Sequence, residues 1–373
     1  MSAAPVAGTE DHPQARIVLG AALATQPSHA YLFHGPAGTG KRTVARAFAA
    51  ELLAEGEPDP EDTRRRALGG SHPDLTWVRP TGAHVMRTSD VDEAVIGAAT
   101  RTPFEARRRV FVLERVETMN DEVANRMLKT LEEPASFVHL ILLTDSLGQV
   151  LETVVSRCQA VRFDPLPADR IASALESEGV PADQALACGR LALGNAERAR
   201  YLASEEGSEL RSEVESFIAA ALEGEQGGEA WQPLLARAEA RRAEAEEAAV
   251  AVRAERLELE PKGRERRALE RELEEAAKRD GRRARTEVLD LGLSLAALGF
   301  RDLVCLAEGA DGSVLATDRA PVLGERVRGR DPRRLRQAAE RIEDTRQSLE
   351  LNVAEDLALS ALGFRLASLV GTS

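Results

Sequence analysis

The segment His34-Gly35-Pro36-Ala37-Gly38-Thr39-Gly40-Lys41-Arg42-Thr43 constrains this chain more than any other stretch. Gly35 and Gly40-Lys41 fit the phosphate-loop pattern G-x-x-x-x-G-K-[ST], and Tyr31-Leu32-Phe33 before them reads as a buried strand. Val44 to Leu53 after them reads as a helix, so the motif has the strand–loop–helix context it requires. Such a loop turns backbone N–H groups and a helix N-terminus toward phosphates, and its lysine adds a point charge. Gly35, Gly38, Thr39, Gly40 and Lys41 are therefore the candidate nucleotide-binding residues. One position departs from the pattern. Where Ser or Thr would offer a hydroxyl to Mg²⁺, the chain has Arg42, and Thr43 comes one residue late, about 100° further round the helix.

A second departure lies in Val110-Phe111-Val112-Leu113-Glu114-Arg115. In a P-loop ATPase an apolar strand of this kind ends in an acidic pair: the first carboxylate supports Mg²⁺ and the second orients the attacking water. Here the pair is Glu114 and Arg115, and a guanidinium cannot act as a base at ordinary pH. General-base assistance is worth roughly 10²–10⁴ in rate. Arg42 and Arg115 together point to a cradle for a nucleotide that lacks the means to split it. The alternatives are a relic loop whose glycines serve only the turn, and a live ATPase in which Glu114 and Thr43 substitute for the missing groups.

From about Ala15 to Phe163 short apolar runs alternate with helical patterns; Tyr31–Phe33, Val110–Leu113 and Leu140–Leu143 are the clearest strands. That alternation predicts an α/β domain with a parallel sheet covered on both faces. Phe163-Asp164-Pro165-Leu166-Pro167 punctuates a change to an all-helical pattern, with a few short helices from Ala168 to Ala203. After the loop-like Glu223-Gly224-Glu225-Gln226-Gly227-Gly228, Leu234–Glu260 and Arg264–Arg285 flank Pro261-Lys262-Gly263 and are crowded with Ala, Glu, Arg and Leu. They read as a long charged helical hairpin or as a disordered insert. Leu335, Ile342 and Leu349, then Val353, Leu357, Ala361 and Phe364, recur at helical spacing and read as core stripes. The expected division is 1–163, 164–207 and 208–373, with the hairpin at about 234–285. With 373 residues and 43% hydrophobic content the chain supports two or three cores, packed on Ala, Leu and Val because aromatics make up only 3%.

A net charge of −13 argues against a free-standing, high-affinity DNA binder. Cys158, Cys188 and Cys305 are too few and too scattered for a disulfide framework or a metal cluster. No apolar run reaches membrane-spanning length and no signal-peptide pattern opens the chain, so a soluble cytoplasmic protein is expected.

Three further stretches carry a resemblance: Ser71-His72-Pro73-Asp74, Asn125-Arg126-Met127-Leu128-Lys129-Thr130-Leu131-Glu132-Glu133-Pro134, and Ser156-Arg157-Cys158. With the two nucleotide motifs, they make residues from about Ala15 to Phe163 similar to the clamp-loader subunits of the AAA+ superfamily, those of the bacterial DNA polymerase III clamp loader. The resemblance is weaker over the helical lid, and for the C-terminal third it rests only on Leu351-Asn352-Val353. It implies an AAA+ P-loop domain, a helical lid and an α-helical collar. It also implies that Arg157 is an arginine finger, given in trans to the nucleotide of a neighbouring subunit; such fingers are worth roughly 10³–10⁵ in rate. Thr144 fits the family's sensor position after a strand. Relatives carry a four-cysteine zinc module before His72, but Glu51 to Ser71 contains no cysteine, so no zinc is expected. In Gly194-Asn195-Ala196-Glu197-Arg198 the lid's sensor arginine is replaced by Glu197, with Arg198 beside it.

The implied function is that of a non-hydrolysing structural subunit that binds ATP, if at all, without splitting it. Its expected partners are gamma/tau-type ATPase and delta-type subunits, and, through the complex, the sliding clamp and primed DNA. An active ATPase subunit, and a scaffold outside replication that docks through the hairpin, are the competing readings. Arg107-Arg108-Arg109 is either a phosphate contact or a solvated basic turn.

Overall fold

Five strands form a wholly parallel sheet: β1 (Ala30–His34), β2 (Leu75–Val78), β3 (Arg109–Leu113), β4 (Val138–Thr144) and β5 (Gln159–Arg162), in the order β2-β3-β4-β1-β5. This is a computed structural model, and it describes residues 6–80, 85–225, 229–258, 264–349 and 354–371. β1, β3 and β4, the three strands expected from apolar runs, fill the middle of the sheet. β2 and β5 are its edges, and each buries only one residue fully, which is why neither announces itself as an apolar run.

Alternation along the central strands sorts their side chains onto two faces. Tyr31, Phe33, Val110, Val112, Ile141 and Leu143 point one way, into a core with Phe48, Leu52 and Leu53 of the helix Lys41–Ala54. Phe48 meets the Tyr31 ring edge-on, with centroids 5.0 Å apart. Leu32, Phe111, Leu113, Leu140 and Leu142 point the other way, into a core with Met127 and Leu131 of the helix Asp121–Glu132. Burial on both faces requires continuous apolar strands, and that is the pattern the sequence shows. The register sets the ends level: His34 pairs with Thr144, and Leu113 with Leu142, so the phosphate loop leaves the sheet beside Thr144.

The chain divides into two units, Met1–Leu166 with Gly194–Ala196, and Pro167–Leu193 with Glu197–Ser373. The second unit is helical among its described residues, apart from turns. Short helices at Ala168–Ser177 and Ala182–Leu191 precede the helix Glu205–Glu223. The charged tract follows as two long helices, Gln232–Glu258 and Arg264–Ala307, 27 and 44 residues long. They run antiparallel: Arg285 Nη1 donates to Glu239 Oε2 at 2.7 Å, and a Cβ on Gly292 would lie 2.4 Å from Leu234. Pro261-Lys262-Gly263 lies outside the described residues, as does Leu351-Asn352-Val353. Elsewhere in this unit Arg211 pairs with Asp318 (2.6 Å), and fully buried Asp302 accepts the Leu315 and Ala316 N–H groups.

The helical stripes divide. Leu335 and Ile342 are fully buried on the helix Pro332–Leu349. On the helix Glu355–Val370 the expected stripe is instead the outer face: Leu357 and Phe364 are exposed, while Leu359, Leu362, Leu366 and Val370 form the core. Both faces of this helix are apolar, so spacing alone could not choose between them.

Candidate functional site

The loop between β1 and the helix Lys41–Ala54 is built on backbone angles that side chains resist. Gly35 has φ +147°, and a Cβ there would sit 2.0 Å from the Phe163 carbonyl oxygen. Gly38 has φ +73°, with the Asn195 amide packed where its Cβ would be. Gly194–Ala196 belong to the same unit as the loop, and the Ala196 N–H donates to Gly38 O at 3.2 Å. Gly40, in the left-handed region, is the N-cap of the helix, and its carbonyl accepts from Val44 N at 3.0 Å.

The side chains of Thr39 and Lys41 both turn back onto the loop backbone. Thr39 is fully buried, and its hydroxyl donates to Pro36 O at 2.9 Å. Lys41 is 6% exposed; its ammonium donates to Gly35 O (2.5 Å) and Pro36 O (2.6 Å) and pairs with Asp145 Oδ1 at 2.8 Å. Thr144, buried at the end of β4, accepts from Ser146 N (3.1 Å) and donates to Ser146 O (3.2 Å) in a tight turn that presents Asp145. The sequence-predicted residues Gly35, Gly38, Thr39, Gly40, Lys41 and Thr144 therefore surround one place, together with Asp145 and Asn195, which sequence reasoning missed. Residues 6–12 also reach it. Gly8 lies against Val44, and buried His12 tilts against Phe163 at 4.8 Å; burial pushes the His12 pKa below its ordinary value.

The altered residue of the first motif meets the carboxylate of the second. Arg42 Nη2 lies 2.7 Å from Glu114 Oε2. The other Glu114 oxygen accepts from Trp77 Nε1 (2.5 Å) and Arg79 Nε (3.1 Å). Glu114 is 3% exposed, so its charge is desolvated and both its oxygens are engaged by protein donors. Thr43, whose hydroxyl could have replaced the missing one, is exposed, with its methyl near Gly8. Arg115 follows β3 at φ +55° and lies 3.8 Å from Glu117. Arg42 and Glu114 are each visible in the sequence; that they pair with each other is not, because 72 positions separate them.

Arg157 sits in a separate cluster. Its Nε donates to Glu132 Oε1 at 2.7 Å, and Nη2 bonds the same oxygen. Nη1 donates to Thr153 O (2.8 Å) and to Ser156 Oγ (3.2 Å). Among the described residues it shares no hydrogen bond or ion pair with the phosphate loop. About a third of the side chain is exposed. Glu132 closes the helix Asp121–Glu132, whose first turn is capped by the Asn120 carboxamide on Val123 N (3.0 Å). Burial raises the neighbouring Cys158 thiol to about 12, which suits a packing residue rather than a nucleophile.

The remaining sequence candidates have structural partners. Asp74 is fully buried and accepts three backbone N–H groups, from Phe104 (2.7 Å), Glu105 (3.0 Å) and Ala106 (3.0 Å). Of the basic run, Arg108 pairs with Glu55, while Arg109 is buried, donates to Ala98 O and lies over the Phe104 and Phe111 rings. Arg107 packs over Gly56. Between Glu51 and Ser71 the helix Pro60–Gly69 starts on an Asp59 cap, and Arg64 bridges to Glu51 at 2.9 Å. Arg198 lies with Asp290 and Arg346 in the second unit, and burial lowers its pKa. No helix among the described residues is long and apolar enough to cross a membrane.

Residues 13–167 match the family described as DNA polymerase III, delta subunit. The chain is 31% identical over 191 residues to DNA polymerase III subunit delta' of Bacillus subtilis, covering 50% of this chain and 57% of that protein. It is 36% identical over 147 residues to subunit delta' of Pseudomonas aeruginosa, covering 38% and 44%. Subunit tau of DNA polymerase III from Bacillus subtilis is 33% identical over 143 residues, covering 37% and 24%. The chain spans about half the length of the two delta' proteins it matches. The resemblance read from the motifs is borne out, and the family match ends where the sheet domain does.

Proposed function

Starting from the delta'-type domain carried by residues 13–167, we propose that this chain is a structural subunit of the DNA polymerase III clamp loader that donates Arg157 to a neighbouring subunit's nucleotide. One observation carries the reading. The chain's own loop is followed by an arginine that pairs with Glu114, the carboxylate of the second motif, whereas Arg157 stands outside that loop, partly exposed on a helix-end cluster. A guanidinium delivered to a γ-phosphate in another subunit stabilises charge developing in the transition state, and this chain needs no catalytic machinery of its own to do so.

In this reading residues 164–207 act as lid and 208–373 as collar, and the collar holds the chain beside gamma/tau-type and delta-type subunits. Clamp and primed DNA are met through the assembly; the acidic balance of the chain favours shared rather than independent DNA contact. Any ATP held at Gly35–Lys41 stays intact, because Arg115 stands where a water-orienting carboxylate is needed.

The test is ATP turnover by the purified chain alone, and then by the complex reconstituted with its host's ATPase subunits, clamp and primed DNA. The chain alone is expected to be inactive. Arg157→Ala should leave its fold intact and slow the site it serves by roughly 10³–10⁵, seen as loss of that site's share of the complex's turnover. Robust turnover by the chain alone, or an unchanged rate with Arg157→Ala, would refute the proposal.

A further inference from the structure

A nucleotide loop of this type ordinarily works with Mg²⁺, held by a hydroxyl at position 42 and a carboxylate at position 114. The residues present do not fit that ion. Arg42 offers five donors and no acceptor, so the position supplies no ligand oxygen. Glu114 could supply one, but Oε2 faces Arg42 Nη2 at 2.7 Å, while Oε1 is shared by Trp77 Nε1 and Arg79 Nε. Mg²⁺ demands oxygens at about 2.0–2.1 Å in near-octahedral array. To reach Glu114 it would have to displace one guanidinium while lying within a few ångströms of a second.

We propose that Arg42 is the resident cation of this loop: its guanidinium holds the place of the divalent metal on Glu114, and the site excludes metal. The pair has the features of a replacement rather than a chance surface contact. Its carboxylate is nearly inaccessible, so the negative charge needs a partner from within the protein. Its cation comes from the helix position that otherwise helps hold the metal, so the guanidinium enters from the metal's side. Arg42 itself is half exposed, which leaves its outer edge open to solvent. Trp77 adds an aligned neutral donor from the adjacent edge strand, fixing the carboxylate's orientation for the guanidinium.

A metal-dependent site changes its charge when the ion arrives or leaves; this one carries a covalently tethered positive charge at all times. The Arg42–Glu114 pair ties the helix Lys41–Ala54 to the residue after β3 without reference to nucleotide state.

The experiment is a Mn²⁺ titration of the full chain, followed by loss of the free-ion electron paramagnetic resonance signal, with and without ATP. Wild type and Glu114→Gln should bind Mn²⁺ alike, through the diffuse acidic surface only. Arg42→Thr should gain one ion per chain, at least tenfold tighter than that background, and the gain should vanish in Arg42→Thr/Glu114→Gln. Circular dichroism establishes that each variant is folded; should Arg42→Thr not fold, Arg42→Gln, which keeps the aliphatic stem, takes its place. A Glu114-dependent ion in wild type would overturn the proposal, and so would a folded Arg42 variant that gains none. The outcome is independent of Arg157: the finger reading can fail while the metal reading stands, and the reverse.

Discussion

Removing the Asp74 carboxylate should loosen the entry to β3, the strand that leads into Glu114. Both carboxylate oxygens are used, Oδ1 by Phe104 N–H and Oδ2 by the Glu105 and Ala106 N–H groups, and the side chain is fully buried. Hydrogen bonds to a charged acceptor contribute about 1.5–3 kcal/mol each. The three are not lost equally. Phe104 and Glu105 are exposed, so their N–H groups regain water, whereas Ala106 is buried and its N–H is left without a partner. Asp74→Ala should therefore cost about 3–5 kcal/mol, a large share of the ~5–15 kcal/mol stability of a typical domain. Asp74→Asn keeps the volume but replaces one acceptor by a donor facing N–H groups, and should cost about 2–4 kcal/mol. The assay is urea unfolding followed by circular dichroism. With a slope of about 2–3 kcal/mol per molar, the Asp74→Ala midpoint should fall by about 1–2 M. Hydrogen exchange at residues 104–106 should rise in step. A midpoint within about 0.3 M of wild type, with exchange unchanged, would refute the claim that this carboxylate organises the loop. Phe104→Ala serves as the control: its ring is 75% exposed and should cost little.

Gly35→Ala should fail to fold or lose more than about 3 kcal/mol, because its Cβ would overlap the Phe163 carbonyl at a φ that L-residues resist; chemical denaturation of that variant decides it. His139, 3% exposed, has its pKa lowered by burial to about 4, against 6.5 in the unfolded chain. Its contribution is therefore fully present above pH 6.5 and is lost as pH falls toward 4, because only the unfolded chain takes up the proton in that window. The loss amounts to about 3 kcal/mol, and His139→Gln should flatten the stability–pH curve there. The Cys158 thiol, raised to about 12, should react with a disulfide reagent at pH 8 far more slowly than a free cysteine, and a rate equal to that of the unfolded chain would contradict its partial burial.

Much of the first unit was legible in the chain because its signals are local. A glycine pattern between an apolar run and a helical one needs nothing distant to be recognised, and strands buried on both faces betray themselves as unbroken apolar segments. Tyr31–Phe33, Val110–Leu113 and Leu140–Leu143 all become central strands for that reason. Edge strands escape the same test. Leu75–Val78 and Gln159–Arg162 bury only one residue fully each, and polar residues break their apolar runs: Thr76 interrupts the first, and Gln159 and Arg162 leave two apolar residues in the second. The last helix shows the opposite difficulty: apolar residues line both of its faces, and its neighbours alone decide that Leu359 and Leu366 go inward while Leu357 and Phe364 stay out.

The candidate site divides along the same line. By itself the sequence determined which residues form the loop, that position 42 lacks the hydroxyl and position 115 the carboxylate, and that Ser156-Arg157-Cys158 is intact. Those are statements about residue type at a fixed spacing along the chain. The tertiary structure alone decided what the residues do to one another: Arg42 neutralises Glu114, Lys41 turns back onto Gly35, Pro36 and Asp145, and Arg157 rests on Glu132. Charges find partners through space. A parallel sheet, whose neighbouring strands are separated by whole helices, brings together side chains that the sequence keeps tens of residues apart.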